Sequence, residues 1–219
     1  MKKKESIFVL SWMLLALFFN FSASAQSDAF HKGALLVSAT EGQTWANYAT
    51  GNETDGSHGF INGVRDPLSL EYGLSKRWGI GLTSGADLYM VDPSRFYAFN
   101  FPGGKVKATT SEITVDGHYH LFVTRKADIS LLTSIGGFSV STKGSLGDYS
   151  YKYSAGGNII RIGSSARYYF LKRLGALATF STFASQASTK GVKDNTVANN
   201  YTTSICGFAL EFGLCFRFF

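Results

Sequence analysis

The residues best suited to chemistry lie in the segment from Asp116 to His120. Asp116, His118 and His120 occupy alternate positions, so in an extended strand they share one face, and such a set could hold a divalent metal with one further ligand. The alternative is that these side chains fill and neutralise the inside of a barrel. The ligand spacing is the only support for a metal, so we predict no bound metal and keep the three residues as its candidate ligands.

A catalytic nucleophile is harder to find. None of the four histidines (His31, His58, His118, His120) stands beside a recognisable nucleophile motif, and G-x-S-x-G does not occur in the sequence. The glycine-rich segment from Gly79 to Gly85 is not a dinucleotide fingerprint, because no helix is predicted after it. We therefore predict a protein that is not an enzyme and uses no cofactor, with a lipid A-modifying enzyme as the remaining catalytic alternative.

The elements that would position such residues can be predicted from alternation. From Phe208 to Phe219, large apolar residues alternate with small or charged ones, among them Glu211 and Arg217. This period is typical of a strand with two different faces. In a soluble sheet the Phe face would be the core. In a membrane barrel it would meet lipid, and Glu211 and Arg217 would point into the lumen.

The first 25 residues predict export. Lysines 2–4 precede an apolar stretch from Ile7 to Phe21, and Ala23-Ser24-Ala25 follows, which is the pattern of a secretory signal peptide. A retained membrane anchor is the alternative, but the apolar stretch is short for spanning a bilayer and Asn20 interrupts its end. We expect cleavage after Ala25, which leaves residues 26–219 as one barrel domain.

Composition limits the partners. Loss of Lys2, Lys3, Lys4 and Glu5 lowers the formal net charge from +6 to about +4, and no basic run predicts nucleic acid.

The cysteines at positions 206 and 215 have opposite parity in one strand and lie too far apart to form a disulfide with each other. No later stretch is apolar for 18 residues, so a membrane-spanning chain would cross with strands.

Three basic dipeptides divide the chain into repeating units. Lys76-Arg77, Arg125-Lys126 and Lys172-Arg173 are spaced 49 and 47 residues apart, and each precedes a new alternating run. The spacing predicts eight strands joined by three tight turns at one end and four long polar loops at the other. The predicted loops are residues 40–63, 92–108, 141–157 and 186–199. Short turns at one end and long loops at the other are typical of outer-membrane barrels.

Strand parity assigns the charged residues to a common face. Strands five and seven are mixed and receive no assignment, but the other alternating strands are clear; in the fourth, Val123 falls with Ile113 and Leu121 on the apolar face. Charges on the polar faces would have to pair in a narrow interior. The predicted lumen charges are Glu71, Asp87, Glu112, Asp116, Arg161, Arg167, Glu211 and Arg217.

The polar face could be the wet exterior of a soluble barrel or the interior of a membrane barrel. Three features favour the membrane: aromatic residues gather near the tight turns, the polar face has few lysines, and its glycines suit a narrow interior. The predicted aromatic girdle includes Tyr72, Trp78, Tyr119, Phe122, Tyr168, Tyr169, Phe170 and Phe218. We predict an all-β fold, an eight-stranded antiparallel up-and-down transmembrane β-barrel.

The export signal, the turns of the LSKRWGIGL type, the eight alternating strands and the C-terminal Phe219 resemble small outer-membrane barrels of Gram-negative bacteria. The similar group is the OmpA-barrel/OmpX-like porin family, and the resemblance covers residues 26–219. It implies a place in the cell outer membrane, contact with its lipid, and assembly by the barrel assembly machinery through the C-terminal strand, with Phe219 as the signal. Arg217 and Glu211 depart from the family pattern, which has apolar residues at alternate positions counted back from the last Phe.

The loop sequences indicate how such a barrel could act. Aromatic residues near its loops could form a rim that contacts an extracellular ligand, or the strands could simply extend beyond the membrane. These residues are Phe96, Tyr97, Phe99, Phe101, Tyr149, Tyr151 and Tyr153. We expect a monomer with a structural or surface-interaction role, in membrane integrity or adhesion, and no nucleic-acid partner. A narrow channel for small solutes is the alternative.

Overall fold

A computed structural model describes residues 28–51, 56–91, 105–146, 149–193 and 196–218. Strands in these ranges form one antiparallel sheet that closes on itself, because the first strand also pairs with the last. The strands are β1 (Leu35–Gly51), β2 (Gly56–Arg65), β3 (Leu68–Gly73), β4 (Trp78–Val91), β5 (Lys105–Val123), β6 (Ala127–Leu146), β7 (Tyr149–Tyr169), β8 (Leu174–Lys193) and β9 (Thr196–Arg217). The predicted signal peptide and Phe219 lie outside the described residues. Within those residues, no helix has the length and apolar character needed to cross a membrane.

Two of the segments, β2 and β3, occupy one strand position of the barrel. Both pair with β1 on one side and β4 on the other, and the partner numbers continue across the gap without a shift in register. The interruption falls at Asp66 and Pro67, where Pro67 has no N–H to donate to the ladder. The barrel therefore has eight strand positions, as predicted, with a break in the second.

Tight turns join the strands at one end, which we call the turn end. The hydroxyl oxygen of Ser75 accepts hydrogen bonds from the backbone N–H groups of Arg77 and Trp78, at 3.2 and 3.0 Å. Thr124 does the same for Lys126 and Ala127, at 3.3 and 2.9 Å. A hydroxyl that binds the next N–H groups stabilises such turns, so these two predicted basic turns are confirmed.

The opposite end, which we call the loop end, differs from the prediction. Three of the four stretches predicted as long loops are mostly strand: β1 and β2 cover residues 40–51 and 56–63, β6 and β7 cover residues 141–146 and 149–157, and β8 and β9 cover residues 186–193 and 196–199. The Gly, Asn and Ser content predicts loops, but these residues continue the hydrogen-bonded ladder as extended hairpins. Residues 92–104 of the remaining stretch lie outside the described residues. Tyr149, Tyr151 and Tyr153 lie on β7, so the strands do extend there. Phe96, Tyr97, Phe99 and Phe101 lie outside the described residues.

A band of exposed apolar side chains surrounds the barrel. On β4 it runs from Trp78 (56% exposed) to Leu88 (51% exposed). The ten residue steps between them span about 33 Å along a strand and about 25 Å along the barrel axis at the usual tilt, which is the height of the apolar band of outer-membrane barrels. The apolar face of β9 faces outward in the same way, with Phe208, Leu210, Phe212 and Leu214 exposed.

Two predicted outward positions are wrong. The register of β5 against β6 shifts between His120 and Phe122. Leu121 and Phe122 are both exposed there, and the following, partly buried Val123 packs against the inner cluster of Phe30, Ala34 and Leu36. This bulge reverses the parity that had placed Val123 outside. Tyr169 is 1% exposed and lies inside the barrel, so it does not belong to the girdle.

The two strands without an assigned face are now explained. Near the loop end, every strand position of the barrel contributes apolar residues to the inner face, so polarity alone could not separate inside from outside on β6 and β8. We call this group the apolar layer. It consists of Ala46, Tyr48, Ile61, Tyr89, Ala108, Phe138, Val140, Ala155, Ile159, Phe183, Ala187 and Ile205.

Candidate functional site

The structure places all eight charged residues predicted for the lumen on the inner face, each no more than 5% exposed. They do not form a single network. Most belong to two ion-pair clusters at different heights, while Asp116 and Arg217 lie apart from both. We call the clusters the central cluster (Arg65, Asp87, Glu112, Arg161 and Glu211) and the turn-end cluster (Glu71, His120, Asp128 and Arg167).

Arg65 is the hub of the central cluster. Its guanidinium contacts three carboxylates from three other strands: Nε donates to Glu211 at 2.8 Å, Nη1 to Asp87 at 3.2 Å, and Nη2 to Glu112. The planar guanidinium presents five N–H donors in fixed directions, so one arginine can hold several carboxylates at once. Arg161 donates to the second oxygen of Glu112 at 2.9 Å. The cluster thereby joins β2, β4, β5, β7 and β9.

Hydroxyl groups complete the hydrogen bonding of the carboxylates. Thr44 and Thr110 donate to the two oxygens of Asp87, at 2.9 and 3.0 Å. Thr40 donates to Glu211 at 3.1 Å. Buried carboxylates are tolerated when their lone pairs are bound in this way, so the threonines of the inner face are part of the cluster's stability.

The turn-end cluster is a closed ring of ion pairs. His120 lies between two carboxylates, with Nδ1 2.7 Å from Asp128 and Nε2 2.9 Å from Glu71. Arg167 contacts the same two groups, at 2.9 Å to Asp128 and through Nη2 to Glu71. Two cations facing two carboxylates make the ring electrically neutral when the imidazole carries a proton on both nitrogens.

The N-terminal segment closes the turn end. Phe30 is 1% exposed and stacks on His120, and Ala29 donates a backbone hydrogen bond to Thr124 at 2.7 Å. Arg217 binds backbone carbonyls rather than a carboxylate: it donates to Asp28 and, at 2.8 Å, to Lys172. Arg217 thus fastens the end of β9 to the segment that fills the opening.

The candidate metal ligands are used otherwise. Asp116 accepts hydrogen bonds from Thr83 at 2.5 Å and Thr114 at 2.8 Å, and both nitrogens of His120 already face carboxylates. In the described part of the chain, no group of three or more His, Cys, Asp or Glu side chains is arranged to hold a metal ion. The spacing that suggested a metal places these side chains on one face of β5, as expected, but Asp116 binds threonine hydroxyls while both histidines face Glu71.

Sequence reasoning missed one residue of each cluster: Arg65 of the central cluster and Asp128 of the turn-end cluster. Arg65 follows the predicted loop of residues 40–63 and has no assigned face. It has the same parity as Glu71, so extending the second strand toward the N-terminus places Arg65 on the inner face. Asp128 is the second residue of β6, a strand whose mixed pattern gives no assignment of faces. Its position just after the basic turn at Arg125-Lys126 indicates an inner-face residue less clearly than the parity of Arg65 does.

A small cavity of about 50 Å³ lies between the two clusters, lined by residues such as Thr114, Ser165, Thr179 and Ser181. The Nε groups of Arg161 and Arg167 are buried beside it without a hydrogen-bond partner among the described residues. A polar space of this size, next to unused donors, can hold water. Above it, Arg161 packs over the ring of Phe183 at 4.8 Å, where the apolar layer begins.

Comparisons with known proteins identify the fold. No protein-family model and no curated protein matches the chain. The outer membrane protein AlkL, solved by solid-state NMR in lipid bilayers, is 11% identical, with 91% of this chain and 97% of that chain covered and a TM-score of 0.53. A major outer membrane protein of Thermus thermophilus is 12% identical, with 84% and 99% covered and a TM-score of 0.52.

The attachment invasion locus protein Ail of Yersinia pestis is 12% identical, with 85% of this chain and 99% of that chain covered and a TM-score of 0.47. The two likenesses above 0.5 show that this chain has the fold of outer-membrane β-barrel proteins. The predicted fold class is confirmed, and so is the resemblance to outer-membrane barrels, at the level of fold.

Proposed function

We propose that this protein is an integral β-barrel of the cell outer membrane that acts through its surface, with a lumen closed by side chains. The observation that carries the proposal is the filling of the interior. From the turn end to the loop end, the axis meets Phe30, the turn-end cluster, the central cluster and the apolar layer. An eight-stranded barrel has an interior just wide enough for side chains, and here they occupy it in layers.

The outer surface supports a place in the membrane. Large apolar side chains such as Ile113 (63% exposed), Ile135 (64%) and Phe212 (59%) face outward on separate strands. Continuous exposed apolar surface on this scale requires a partner, and membrane lipid is the partner that a band about 25 Å high fits. The barrel is closed by β1 and β9, so we propose a monomer.

The extended hairpins at the loop end support a role in surface contact. The hairpin of β6 and β7 remains paired to Leu146 and Tyr149, well past the outward Ile135 and Ile160. A paired hairpin that extends past the apolar band can present side chains to an extracellular ligand, as adhesion requires, and a closed barrel can also reinforce the membrane. We propose that the C-terminal strand, with Phe219, is read by the barrel assembly machinery.

Two measurements test these roles together. Purified protein in a planar lipid bilayer is expected to give no reproducible single-channel conductance, and steady conductance would contradict the closed lumen. In cells, shortening the β6–β7 hairpin is expected to reduce surface adhesion while membrane permeability to a small dye stays unchanged. Loss of the barrier without loss of adhesion would favour membrane integrity as the main role.

A narrow channel for small solutes is the second candidate, favoured by the polar cavity between the clusters. If the barrel conducts, the reversals Arg161→Glu and Arg167→Glu are expected to shift its ion selectivity, since charged rings select ions in pores. Unchanged selectivity in both variants would exclude these arginines from the path. A lipid-modifying enzyme is the least favoured role, because the buried histidines of the described residues, His118 and His120, are held in ion pairs with carboxylates.

A further inference from the structure

Three tight turns at the turn end each carry a pair of basic residues. We call these pairs, Lys76-Arg77, Arg125-Lys126 and Lys172-Arg173, the basic rim. The pairs are attached to the barrel in the same way: the backbone carbonyl of the second residue accepts a hydrogen bond from the neighbouring strand. The donors are the backbone N–H groups of His120, Tyr169 and Arg217, at 2.8, 2.7 and 2.8 Å. The fold therefore holds the three pairs at equivalent positions, two strands apart around the barrel.

The first pair lies against the outer wall of the barrel. Nη1 of Arg77 donates a hydrogen bond to the hydroxyl of Tyr119 at 3.3 Å, and the Tyr119 ring packs on the outward Trp78 with the ring centroids 4.8 Å apart. Trp78 begins the exposed apolar band of β4, and Lys76 is two residues away from it. Two residues span at most about 7 Å, whereas the headgroup layer of a membrane is about 5–8 Å thick on each side. The pair is therefore at the height of the lipid headgroups.

The other two pairs have a similar setting. Phe122 lies three residues before Arg125, and its side chain is exposed. Phe170 and Leu171 directly precede Lys172 and are exposed as well. Aromatic residues at the edge of an outer-membrane barrel mark the membrane interface. Basic side chains beside them are placed to reach the phosphate groups of lipid.

The charge of the rim is not neutralised within the described residues. No ion pair between described residues includes its four exposed members, Lys76, Arg77, Arg125 and Lys126. Glu71 and Asp128 are buried in the turn-end cluster, which leaves Asp28 as the exposed carboxylate at this end of the described chain. Pairs two strands apart are about 10 Å from each other across the strands, which is close to the Debye length in physiological salt. The pairs therefore repel one another unless anions lie beside them.

We infer that the basic rim binds the phosphate headgroups of anionic phospholipid in the leaflet that surrounds the turn end. Lysine and arginine side chains reach the phosphate, to which they donate charge-assisted hydrogen bonds. The acyl chains of the same lipid lie along outward side chains such as Trp78 and Phe170. This headgroup site goes beyond the proposed surface contact, since it lies at the opposite end of the barrel.

Quenching of Trp78 by brominated lipid measures the site directly. In a Trp45→Phe background, Trp78 is the one tryptophan of residues 26–219. Purified protein is placed in bilayers that contain brominated phosphatidylglycerol or brominated phosphatidylcholine, and the ratio of the two quenching constants gives the preference for anionic lipid beside Trp78. We expect a preference of about fivefold, because each of the two adjacent exposed cations contributes a factor of about two to three.

Three variants in this background locate the site. Lys76→Gln/Arg77→Gln removes both cations next to Trp78, and the preference is expected to fall close to one. Lys76→Arg/Arg77→Lys keeps the charge and is expected to keep the preference. Lys105→Gln/Lys107→Gln removes the same charge from the first residues of β5, at the loop end, and is expected to behave like the parent protein.

Equal quenching by the two lipids in the parent protein would overturn the site. Equal losses in the turn-end and loop-end glutamine variants would also overturn it, leaving a general attraction between charges. Loss of the preference in the variant that keeps the charge would mean that these residues shape the turn instead. Binding of soluble cell-wall fragments in bilayers of phosphatidylcholine, without a preference between the two lipids, would assign the rim to a polymer and overturn the inference.

The result is independent of the proposed surface contact. The quenching reports lipid beside Trp78, so an absent preference would leave the role of the loop end untouched. Unchanged adhesion after shortening of the β6–β7 hairpin would contradict the surface role and leave the basic rim in place.

Discussion

The ring of Phe30 stacks on the imidazole of His120, with the ring centroids 3.4 Å apart and 12° between the planes. His120 faces a carboxylate at each nitrogen, so the apolar Phe30 side chain covers the ion pairs of the turn-end cluster. Phe30 belongs to the segment that precedes β1, which makes the N-terminal segment part of the barrel interior.

Replacement of this ring tests that role. We expect Phe30→Ala to lower the free energy of unfolding by about 3 kcal/mol, because a buried aromatic side chain is lost and the turn-end cluster becomes open to water. Urea unfolding in lipid vesicles, followed by tryptophan fluorescence, measures the change. Phe60→Ala is the matched control, since Phe60 is 55% exposed on the outer face. Equal losses from both variants would contradict a specific role for the stack.

Arg65 is expected to be the most sensitive residue of the central cluster. Arg65→Met removes the cation and leaves Asp87, Glu112 and Glu211 close together in a buried site. Breaking such a buried network by removal of one partner costs about 3–5 kcal/mol. The same urea titration provides the measurement, and Arg125→Met at an exposed turn provides the control. A loss below about 1 kcal/mol would mean that water reaches the three carboxylates.

Two neighbouring glycines of β6 are expected to differ sharply. A Cβ added at Gly136 would overlap the carbonyl oxygen of Ile113 and lie 2.6 Å from the Cα of Thr114, whereas Gly137 has no neighbouring atom within 4 Å. Gly136→Ala should therefore destabilise the barrel by about 1–3 kcal/mol through overpacking. Gly137→Ala should stay within about 0.5 kcal/mol of the parent. Similar effects of the two substitutions, measured by urea unfolding, would show that β6 has a different register against β5.

The two cysteines report on the two faces of β9. Cys206 is exposed and Cys215 is 1% exposed inside the barrel. A lipid-soluble maleimide is expected to label Cys206 in vesicles, and Cys206→Ser should abolish labelling until the protein is unfolded. Mass spectrometry identifies the labelled residue. Rapid reaction of Cys215 with a water-soluble maleimide in the folded barrel would mean that the interior is open.

The strand positions could be predicted because alternation and basic turns are local signals. Glu211 and Arg217 fall on the inner face of β9, and the large apolar residues between them face outward, as parity predicts. The extended hairpins could not be predicted in this way. Gly is depleted in strands and Ser gives no strand signal, so the pairing of residues 141–146 with 149–154 comes from the neighbouring strand rather than from composition.

The interior charges were predicted more readily than their partners. Parity indicates which face a residue occupies, but the choice of partner depends on which strands lie across the barrel and at what height. Arg65 and Glu112 are 47 residues apart, and Arg167 and Glu71 are 96 residues apart. The bulge at Leu121 and Phe122 shifts parity within one strand, and a sequence pattern gives no sign of where such a shift begins.

The layout of the central cluster has a consequence for the order of events in assembly. Arg65 and Glu211 are 146 residues apart, and Glu211 lies on β9, the strand of the barrel that comes after the others in the sequence. Until β9 pairs with β1, Arg65 lacks one of its three carboxylates and the N-terminal segment lacks Arg217. Contacts so distant in sequence form late, and uncompensated charge opposes entry into a lipid bilayer. The pairing of β9 with β1 thus closes the sheet and completes the ion pairs of the lumen at the same time. Barrels in which β9 has already paired with β1 are therefore favoured for entry into the membrane.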